Sequence, residues 1–216
     1  MLCVWVSALA VAFSRRAVIG IGASLATLCD PQTASSTVCA KHDLEQLYFY
    51  DRVTTESSLA LQTALLRGAS SSIQSASVYN AKPYPLHLHI NSLGGELTTG
   101  LFISDLLANL TVPVHTHVEG VCASAATLLS VVGAHRTITK HSVMLLHQPR
   151  IVLSDSYKFT EVRDHSANLQ LLTDSISDIY RSYTRLDDDS IKLLLGRDVY
   201  LDAATCMEYG IVDEIV

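Results

Sequence analysis

The sequence contains a serine, a histidine and an aspartate that each stand at the end of a predicted element. Ser124 lies where a strand gives way to a helix, His147 ends an apolar strand that Pro149 stops, and Asp198 follows Arg197 in a turn. Catalytic groups of parallel sheets usually lie at such ends. An imidazole can remove the proton of a serine hydroxyl while a carboxylate orients the ring, which permits attack on an acyl group. Taken singly, Ser124 would also suit a helix N-cap and Asp198 an ion-pairing turn.

Two junctions rich in small residues could bring backbone amides close to such a serine. Gly94 and Gly95 end one strand before a helix, and residues 120–126 (GVCASAA) join the next strand to its helix. Paired glycines leave N–H groups free to approach a ligand, and the helix start behind them adds the positive end of a dipole. A tight turn without any ligand would use the same residues. The spacing around Ser124 is not the G-x-S-x-G of the α/β-hydrolases.

Two histidine pairs raise the question of a metal site. His87 and His89 share one side of a strand, as do His115 and His117, because side chains two apart along a strand face the same way. In the first strand Leu86, Leu88 and Ile90 take the opposite side, which is the ordinary alternation of a half-buried strand. No carboxylate or cysteine stands at a recognisable ligand spacing, so we expect no metal.

The sequence has no nucleotide-binding loop of its own, because neither G-x-x-x-x-G-K-[ST] nor G-x-G-x-x-G occurs. We therefore expect no cofactor in this chain. Any dependence on ATP would come through a partner.

The composition is that of one globular domain with a short appendage. The chain has 216 residues, of which 49% are hydrophobic and 17% charged, and this excludes disordered and low-complexity classes. The net charge of −6 and the lack of a dense basic block make nucleic acid an unsuitable partner. Five cysteines without a C-x-x-C pair argue against a disulfide framework and favour a reducing compartment.

The amino-terminal residues 1–43 are predicted to be a targeting presequence and flexible tail. Two apolar runs, residues 1–13 and 17–29, flank Ser14-Arg15-Arg16, and neither is long enough to span a membrane. An apolar run followed by a basic, acid-free stretch is typical of processed presequences. The pattern resembles plastid presequences, so we expect the chloroplast stroma or thylakoid lumen. A mitochondrial address or a misassigned start codon is the alternative.

Residues 44–216 are predicted to form one α/β domain, because strand and helix signals alternate along them. Strands separated by helices of ten or more residues imply right-handed crossovers and a mostly parallel sheet. The region 68–85, rich in Ser, Ala and Pro, is expected to be a surface linker. The predicted strands are 46–50, 86–91, 112–118, 136–139 and 142–147, and the predicted helices are 54–66, 96–110, 122–132 and 160–185.

The last of these helices carries a narrow apolar stripe. Its members fall at intervals of three, four and seven residues: Val162, Leu169, Leu172, Ile176, Ile179 and Tyr183. Such a stripe is typical of a coiled-coil contact outside the domain, although a helix lying on its own sheet would show the same periodicity.

Four segments resemble the proteolytic subunit of the Clp protease, a compartmentalised serine peptidase that shares its fold with the crotonases. They are INSLGGELTTG (90–100), EGVCASAATLLSVVGA (119–134), MLLHQP (144–149) and GRDVYLDAATCMEYGIVDEI (196–215), and the resemblance extends over residues 46–216. It implies repeated ββα and βα units, a mostly parallel sheet and a protruding handle helix, to which residues 160–185 correspond.

The resemblance also implies a serine endopeptidase active site. By position, Ser124 corresponds to the nucleophile, His147 to the general base and Asp198 to the orienting acid. Gly95 and Ala125 correspond to the two amide donors of the oxyanion hole. The substrate groove would then be formed by Gly94 on one side and by Ile151, Val152 and Leu153 on the other.

Partners follow from the same resemblance. Such subunits form stacked heptameric rings, as homo- or hetero-oligomers, that hydrolyse unfolded proteins and peptides delivered by a Clp ATPase. This chain departs from the family pattern at Leu93, where proline is usual, and in residues 150–156, where a glycine-rich strand is usual. The family's axial loop and first helix have no evident counterpart before residue 46, which leaves dependence on the ATPase open.

Two other functions remain open from the sequence. The chain could be a catalytically inactive structural subunit of the same ring, although it has all three candidate triad residues. It could also be a crotonase-type acyl-CoA enzyme, although that activity would not require Ser124, His147 and Asp198 together and no basic cluster for CoA is evident.

Overall fold

The computed structural model describes residues 45–150 and 156–216. The predicted presequence, residues 1–43, and the boundary after it lie outside the described residues. The elements follow in this order: β1 (Gln46–Phe49), α1 (Thr55–Tyr79), β2 (Leu86–Ser92), α2 (Leu97–Ala108), β3 (Val114–Ala123), α3 (Ala125–Val131), β4 (His135–Ile138), β5 (Val143–Leu145), α4 (Phe159–Tyr183), α5 (Asp188–Leu195), β6 (Leu201–Asp202), α6 (Ala203–Glu208) and β7 (Glu214–Ile215).

The strands form one mostly parallel sheet, which confirms the predicted α/β class. Strands β1, β2, β3, β4 and β7 lie side by side in that order and run parallel. The end of β3 continues beyond β4 and pairs with β5, also in parallel, while β6 pairs with β5 in the antiparallel direction. The long strand β3 therefore carries two sets of neighbours, and its carboxyl end lies beside β5.

The two faces of the sheet differ in chemistry, as the alternation in β2 predicts. Leu86, Leu88 and Ile90 are fully buried in the core, against which helices α1 and α3 pack. The opposite face carries a row of half-buried imidazoles, called here the imidazole face, whose neighbouring ring centroids lie 4.8–5.5 Å apart. Its members are His87, His89, His115, His117 and His135.

The predicted linker 68–85 is wrong for most of its length, because α1 continues to Tyr79. Small residues that look like a flexible segment in the sequence form the buried side of the helix here, including Gly68, Ser72 and Ala76. The hydroxyl of Ser72 donates to the carbonyl of Tyr84 at 2.7 Å. Small side chains therefore allow the helix to pack closely, which composition alone does not reveal.

Helix α4 confirms the predicted long helix. Its amino-terminal half is mostly exposed, with Phe159 81% and Val162 48% accessible. Its carboxyl half packs on α3 and buries Ile176 and Tyr180. The predicted stripe included Tyr183 instead of Tyr180, but Tyr183 is 38% exposed, so the buried side of the helix shifts towards Tyr180 at this end.

Within residues 45–150 and 156–216, no helix combines the length and apolar character needed to cross a membrane.

Candidate active site

A cavity of about 650 Å³ lies at the carboxyl ends of β3 and β5. Four of the predicted site residues line it, namely Gly95, Ser124, Ala125 and His147. They come from three separate junctions along the chain, and the parallel pairing of β2, β3 and β5 brings those junctions together. The sheet topology therefore assembles the site.

Ser124 occupies an unusual backbone conformation between β3 and α3. Its φ is 56° and its ψ is −131°, a region that non-glycine residues rarely adopt. Its N–H donates to the carbonyl of Leu145 at 2.8 Å, which fixes the end of β3 against β5. Although Ser124 precedes α3 in the N-cap position, its side chain makes no capping hydrogen bond. The simpler N-cap explanation therefore does not account for this serine.

Gly94 allows the glycine turn to lie directly against Ser124. Its φ is +80°, and a Cβ atom there would come within 2.4 Å of the Ala123 carbonyl oxygen and 2.7 Å of Ser124 Cβ. The N–H of Gly94 donates to the Ser92 hydroxyl, and its carbonyl accepts from the N–H of Val53. Both backbone groups of Gly94 are thus bonded within the chain, and the residue supports close packing beside the serine.

Gly95 differs from Gly94 because its N–H takes no part in the local backbone pairing. The N–H of Val53 donates to the Gly94 carbonyl at 3.0 Å, and the N–H of Glu96 donates to the Val53 carbonyl at 2.8 Å. This is the bonding of a parallel bridge, in which the N–H of the residue between them, Gly95, points away from the partner strand. Ala125 is the first residue of α3, so its N–H has no acceptor inside the helix. Gly95 and Ala125 both line the cavity, and the amide of neither is used in this local backbone pairing.

His147 follows β5 by two residues and is largely buried, with 13% of its side chain accessible. Its Nδ1 atom lies 3.2 Å from Oδ1 of Asp198. The distance is that of a hydrogen bond, but the direction is not, and Nδ1 remains a buried atom without a hydrogen-bond partner. A hydrogen bond from the N–H of Gln148 to the Leu195 carbonyl, 2.8 Å long, fixes the loop that carries His147 against α5.

Asp198 lies in the loop between α5 and β6 and is 59% exposed. Its Oδ2 atom accepts a hydrogen bond from Nη2 of Arg150 at 2.5 Å. The two oxygens of one carboxylate therefore face two different side chains, His147 and Arg150. The sequence did not predict that Arg150 would bond to Asp198, since no local pattern connects residues 48 positions apart.

The structure brings the predicted site residues together to different degrees. His147 and Asp198 are in contact, and Ser124 shares the cavity with His147. Among the described residues, however, no hydrogen bond joins the Ser124 hydroxyl to His147. Ile151, Val152 and Leu153, predicted for the substrate groove, lie outside the described residues, so that side of the groove stays a prediction.

One wall of the cavity is apolar and was not anticipated as part of the site. It is formed by α3 and by the middle and carboxyl half of α4, through Leu128, Leu169, Leu172, Ile176 and Tyr180. The apolar stripe of α4 was visible in the sequence. The sequence did not show that part of this stripe would face the cavity, because the docking of α4 on α3 determines which side of α4 does so.

The histidine pairs lie on the imidazole face of the sheet, away from the cavity. His87 Nδ1 lies 2.9 Å from His117 Nε2, and His89 Nδ1 lies 2.7 Å from Glu119 Oε1. These imidazole nitrogens bond to one another and to neighbouring side chains. In the part of the chain that the structure describes, no group of three or more His, Cys, Asp or Glu residues is arranged to hold a metal ion.

Comparisons with known proteins identify the family and match the fold. A family model described as Clp protease matches residues 42–216. An ATP-dependent Clp protease proteolytic subunit from Bdellovibrio bacteriovorus is 27% identical over 173 residues, which cover 77% of this chain and 82% of that protein. The structure of a ClpP1 mutant from Listeria monocytogenes superimposes with a TM-score of 0.69 at 22% identity, covering 81% of this chain and 92% of that one.

Proposed function

The chain belongs to the Clp protease family of serine endopeptidases, and we propose that it is a catalytically active proteolytic subunit rather than a structural one. In this proposal Ser124 is the nucleophile, His147 the general base and Asp198 the residue that orients the imidazole. The observation that carries it is the contact between His147 and Asp198, 3.2 Å long, beside a serine whose hydroxyl makes no capping hydrogen bond.

The proposed reaction begins with His147 taking the proton from the Ser124 hydroxyl as the oxygen attacks a peptide carbonyl. Asp198, on the far side of the ring, would stabilise the imidazolium and hold the tautomer that leaves Nε2 free to accept the proton. His147 would then return the proton to the leaving amine, and water would release the acyl group from Ser124 by the same steps. The positive φ of Ser124 supports this role, because strained backbone at a nucleophile is usually retained for function.

Gly95 and Ala125 would stabilise the tetrahedral intermediate. Each has an amide with no acceptor in the local backbone pairing, and both line the cavity that contains Ser124. Two such donors aimed at a developing oxyanion are each worth about 3 kcal/mol of barrier lowering. The turn at Gly94 lies close to Ala125, since a Cβ atom added to Gly94 would lie 2.9 Å from the Ala125 nitrogen. The two segments that carry the proposed donors are therefore adjacent.

The substrate we propose is an extended segment of an unfolded protein or a short peptide. The apolar wall from α3 and α4 would accept an apolar side chain next to the scissile bond. Residues 151–153 would pair with the peptide backbone as an added strand, which remains a proposal for residues outside those described.

Labelling and mutation test the nucleophile together. A fluorophosphonate probe should attach to Ser124, and Ser124→Ala should lose the label and lower peptide hydrolysis by at least about a thousandfold. Ser70→Ala is a suitable control, because Ser70 is exposed on α1 and its hydroxyl donates only to the Leu66 carbonyl. Unchanged turnover in Ser124→Ala would contradict the proposed function.

One observation favours the alternative of an inactive ring subunit. His147 Nδ1 has no hydrogen bond, and none joins Ser124 to His147 within the described residues. If that arrangement persisted in the assembled protein, the triad would not function. Rings of this chain alone should then leave the probe unreacted at Ser124, while rings mixed with an active subunit would cleave peptides equally well with wild-type chain or Ser124→Ala.

Assembly, energy source and location complete the proposal. We propose stacked heptameric rings, composed of this chain alone or with related subunits, with α4 in the contact between rings.

ATP would act only through a Clp-type unfoldase, since the sequence has no nucleotide-binding loop. The presequence pattern favours a plastid, with the mitochondrion as the alternative. Mass measurement of the native assembly and fluorescence microscopy of the tagged full chain would test these points.

A further inference from the structure

A buried hydroxyl network connects helix α4 to the backbone of Ser124. The hydroxyl of Tyr180 lies 2.6 Å from Thr127 Oγ1, and Thr127 Oγ1 donates to the carbonyl of Ser124, also at 2.6 Å. Tyr180 is 2% exposed and Thr127 is fully buried. A buried tyrosine hydroxyl needs a partner, and among the described residues this one has Thr127 alone.

The protons in this network can be assigned from the number of donors. A carbonyl oxygen only accepts, so the single hydroxyl proton of Thr127 points to Ser124. The lone pairs of Thr127 Oγ1 are then free to accept, and the Tyr180 hydroxyl donates to them. With the protons placed in this way, each of the three groups has a hydrogen bond. If Thr127 instead donated to Tyr180, its Oγ1 atom and the Ser124 carbonyl oxygen would be two acceptors 2.6 Å apart.

The network fixes one peptide group. The carbonyl of Ser124 accepts from both Thr127 Oγ1 and the N–H of Thr127, the latter at 3.0 Å. A trans peptide is planar, so its N–H points opposite to its carbonyl. Holding the Ser124 carbonyl therefore also holds the direction of the Ala125 N–H. The ψ of −131° at Ser124 turns this peptide to an orientation outside the ordinary helical and strand regions, and the two hydrogen bonds from Thr127 hold it there.

We propose that Tyr180 is a positioning residue for the oxyanion hole, acting through Thr127 and the Ser124 carbonyl to aim the amide of Ala125 into the cavity. This inference rests on the proposed function, in which Ala125 donates to the tetrahedral intermediate. It assigns to α4 a part in catalysis beyond its packing against α3.

The test is Tyr180→Phe, which keeps the ring and removes only the hydroxyl. The kcat for a peptide substrate should fall by about tenfold with KM within about twofold, because the lost orientation affects the transition state and not the bound substrate. The affinity for a peptide boronate, whose adduct places an oxygen in the oxyanion hole, should fall by a similar factor. Thr127→Ser keeps the hydroxyl and should keep both values.

Two further variants distinguish positioning from packing. Tyr183→Phe removes a hydroxyl from the same helix, one that makes no hydrogen bond among the described residues, and should change nothing. Thr127→Val should lower kcat at least as much as Tyr180→Phe, and combining the two should add nothing, since both act through one carbonyl. A folded Tyr180→Phe protein with wild-type kcat and boronate affinity would overturn the proposal.

The proposal can be separated from the proposed function by an observation that needs no activity. If Tyr180 orients the peptide, the deuterium exchange rate of the Ala125 amide should differ between wild type and Tyr180→Phe, with Tyr183→Phe matching wild type. An unchanged rate overturns the positioning role even when the enzyme is active. A changed rate in a protein that neither binds the probe nor cleaves peptides supports the positioning of the amide while the catalytic proposal fails.

Discussion

Arg150 and His147 face opposite oxygens of the same carboxylate. Arg150 Nη2 lies 2.5 Å from Asp198 Oδ2, whereas His147 Nδ1 lies 3.2 Å from Asp198 Oδ1 without a hydrogen bond. A charged, well-directed hydrogen bond to Arg150 thus competes with the bond that the proposed mechanism needs. The position of Arg150, directly after Pro149, places this competitor at the edge of the cavity.

Removing the competitor should help the proposed triad. We expect Arg150→Leu to raise kcat/KM by about two- to fivefold, the range that an exposed ion pair is worth, because the carboxylate can then turn towards His147. Peptide hydrolysis under steady-state conditions measures it. The same change in an Asp198→Asn background should have no effect, and Arg67→Leu, an exposed arginine on α1, controls for net charge. Lower activity in Arg150→Leu would mean that Arg150 holds Asp198 in its working position.

Gly94→Ala should disable the site through the backbone. The new Cβ would lie 2.4 Å from the Ala123 carbonyl oxygen at a φ of +80°, so the turn or the Ser124 segment must move. We expect a loss of about 1–3 kcal/mol in the free energy of unfolding and at least about a hundredfold lower kcat. Urea unfolding and peptide hydrolysis measure the two effects. Gly196→Ala, at a φ of −78° and with its nearest contact at 3.2 Å, should cost much less stability.

Acid should destabilise the protein through the imidazole face. Burial, followed by the nearby imidazoles of His89 and His87, lowers the pKa of His117 from 6.5 to about 4, although Glu119 acts in the opposite direction. Burial also lowers the pKa of His115 and His87. Since the unfolded chain binds protons more readily, this contribution to stability is complete above pH 6.5 and is lost as the pH falls towards 4.

Chemical unfolding at a series of pH values tests this prediction. The free energy of unfolding of wild type should fall between pH 6.5 and 4, and the fall should be smaller in His117→Gln, which has one buried imidazole fewer to protonate. His141→Gln changes an exposed histidine and should follow wild type. If the free energy of unfolding fell equally with pH in His117→Gln and wild type, the imidazole face would not be the cause of the loss of stability in acid.

Cys122 and Cys206 should be inert in the folded protein. Both are fully buried, and burial raises the pKa of the Cys206 thiol to about 12 and also raises the pKa of the Cys122 thiol. Iodoacetamide at pH 8 should leave both unmodified in native protein and alkylate both in urea, as read by mass spectrometry of the peptides. Alkylation of Cys122 in the native state, with loss of activity, would indicate that the thiol two residues before Ser124 is accessible to substrate.

Much of the fold could be read from local patterns. The alternation in β2 predicted which side chains enter the core, and the long stripe predicted α4, because strand and helix periodicities are fixed by backbone geometry. Helix α1 is longer than the sequence predicts, because Gly68 and Ser72 resemble linker residues but are buried on this helix. Small residues have the same local appearance in a loop and in a tight helix contact.

The residue types and their order in the chain determined by themselves which side chains could do the chemistry, since Ser124, His147 and Asp198 stand at the ends of recognisable elements. Tertiary structure alone decided the geometry around these side chains. It gave Ser124 its positive φ, placed Arg150 in a hydrogen bond to Asp198, and buried Tyr180 of α4 rather than Tyr183. The physical reason is separation along the chain. Tyr180 and Thr127 are 53 positions apart, and only the docking of α4 on α3 brings their hydroxyls within hydrogen-bonding distance.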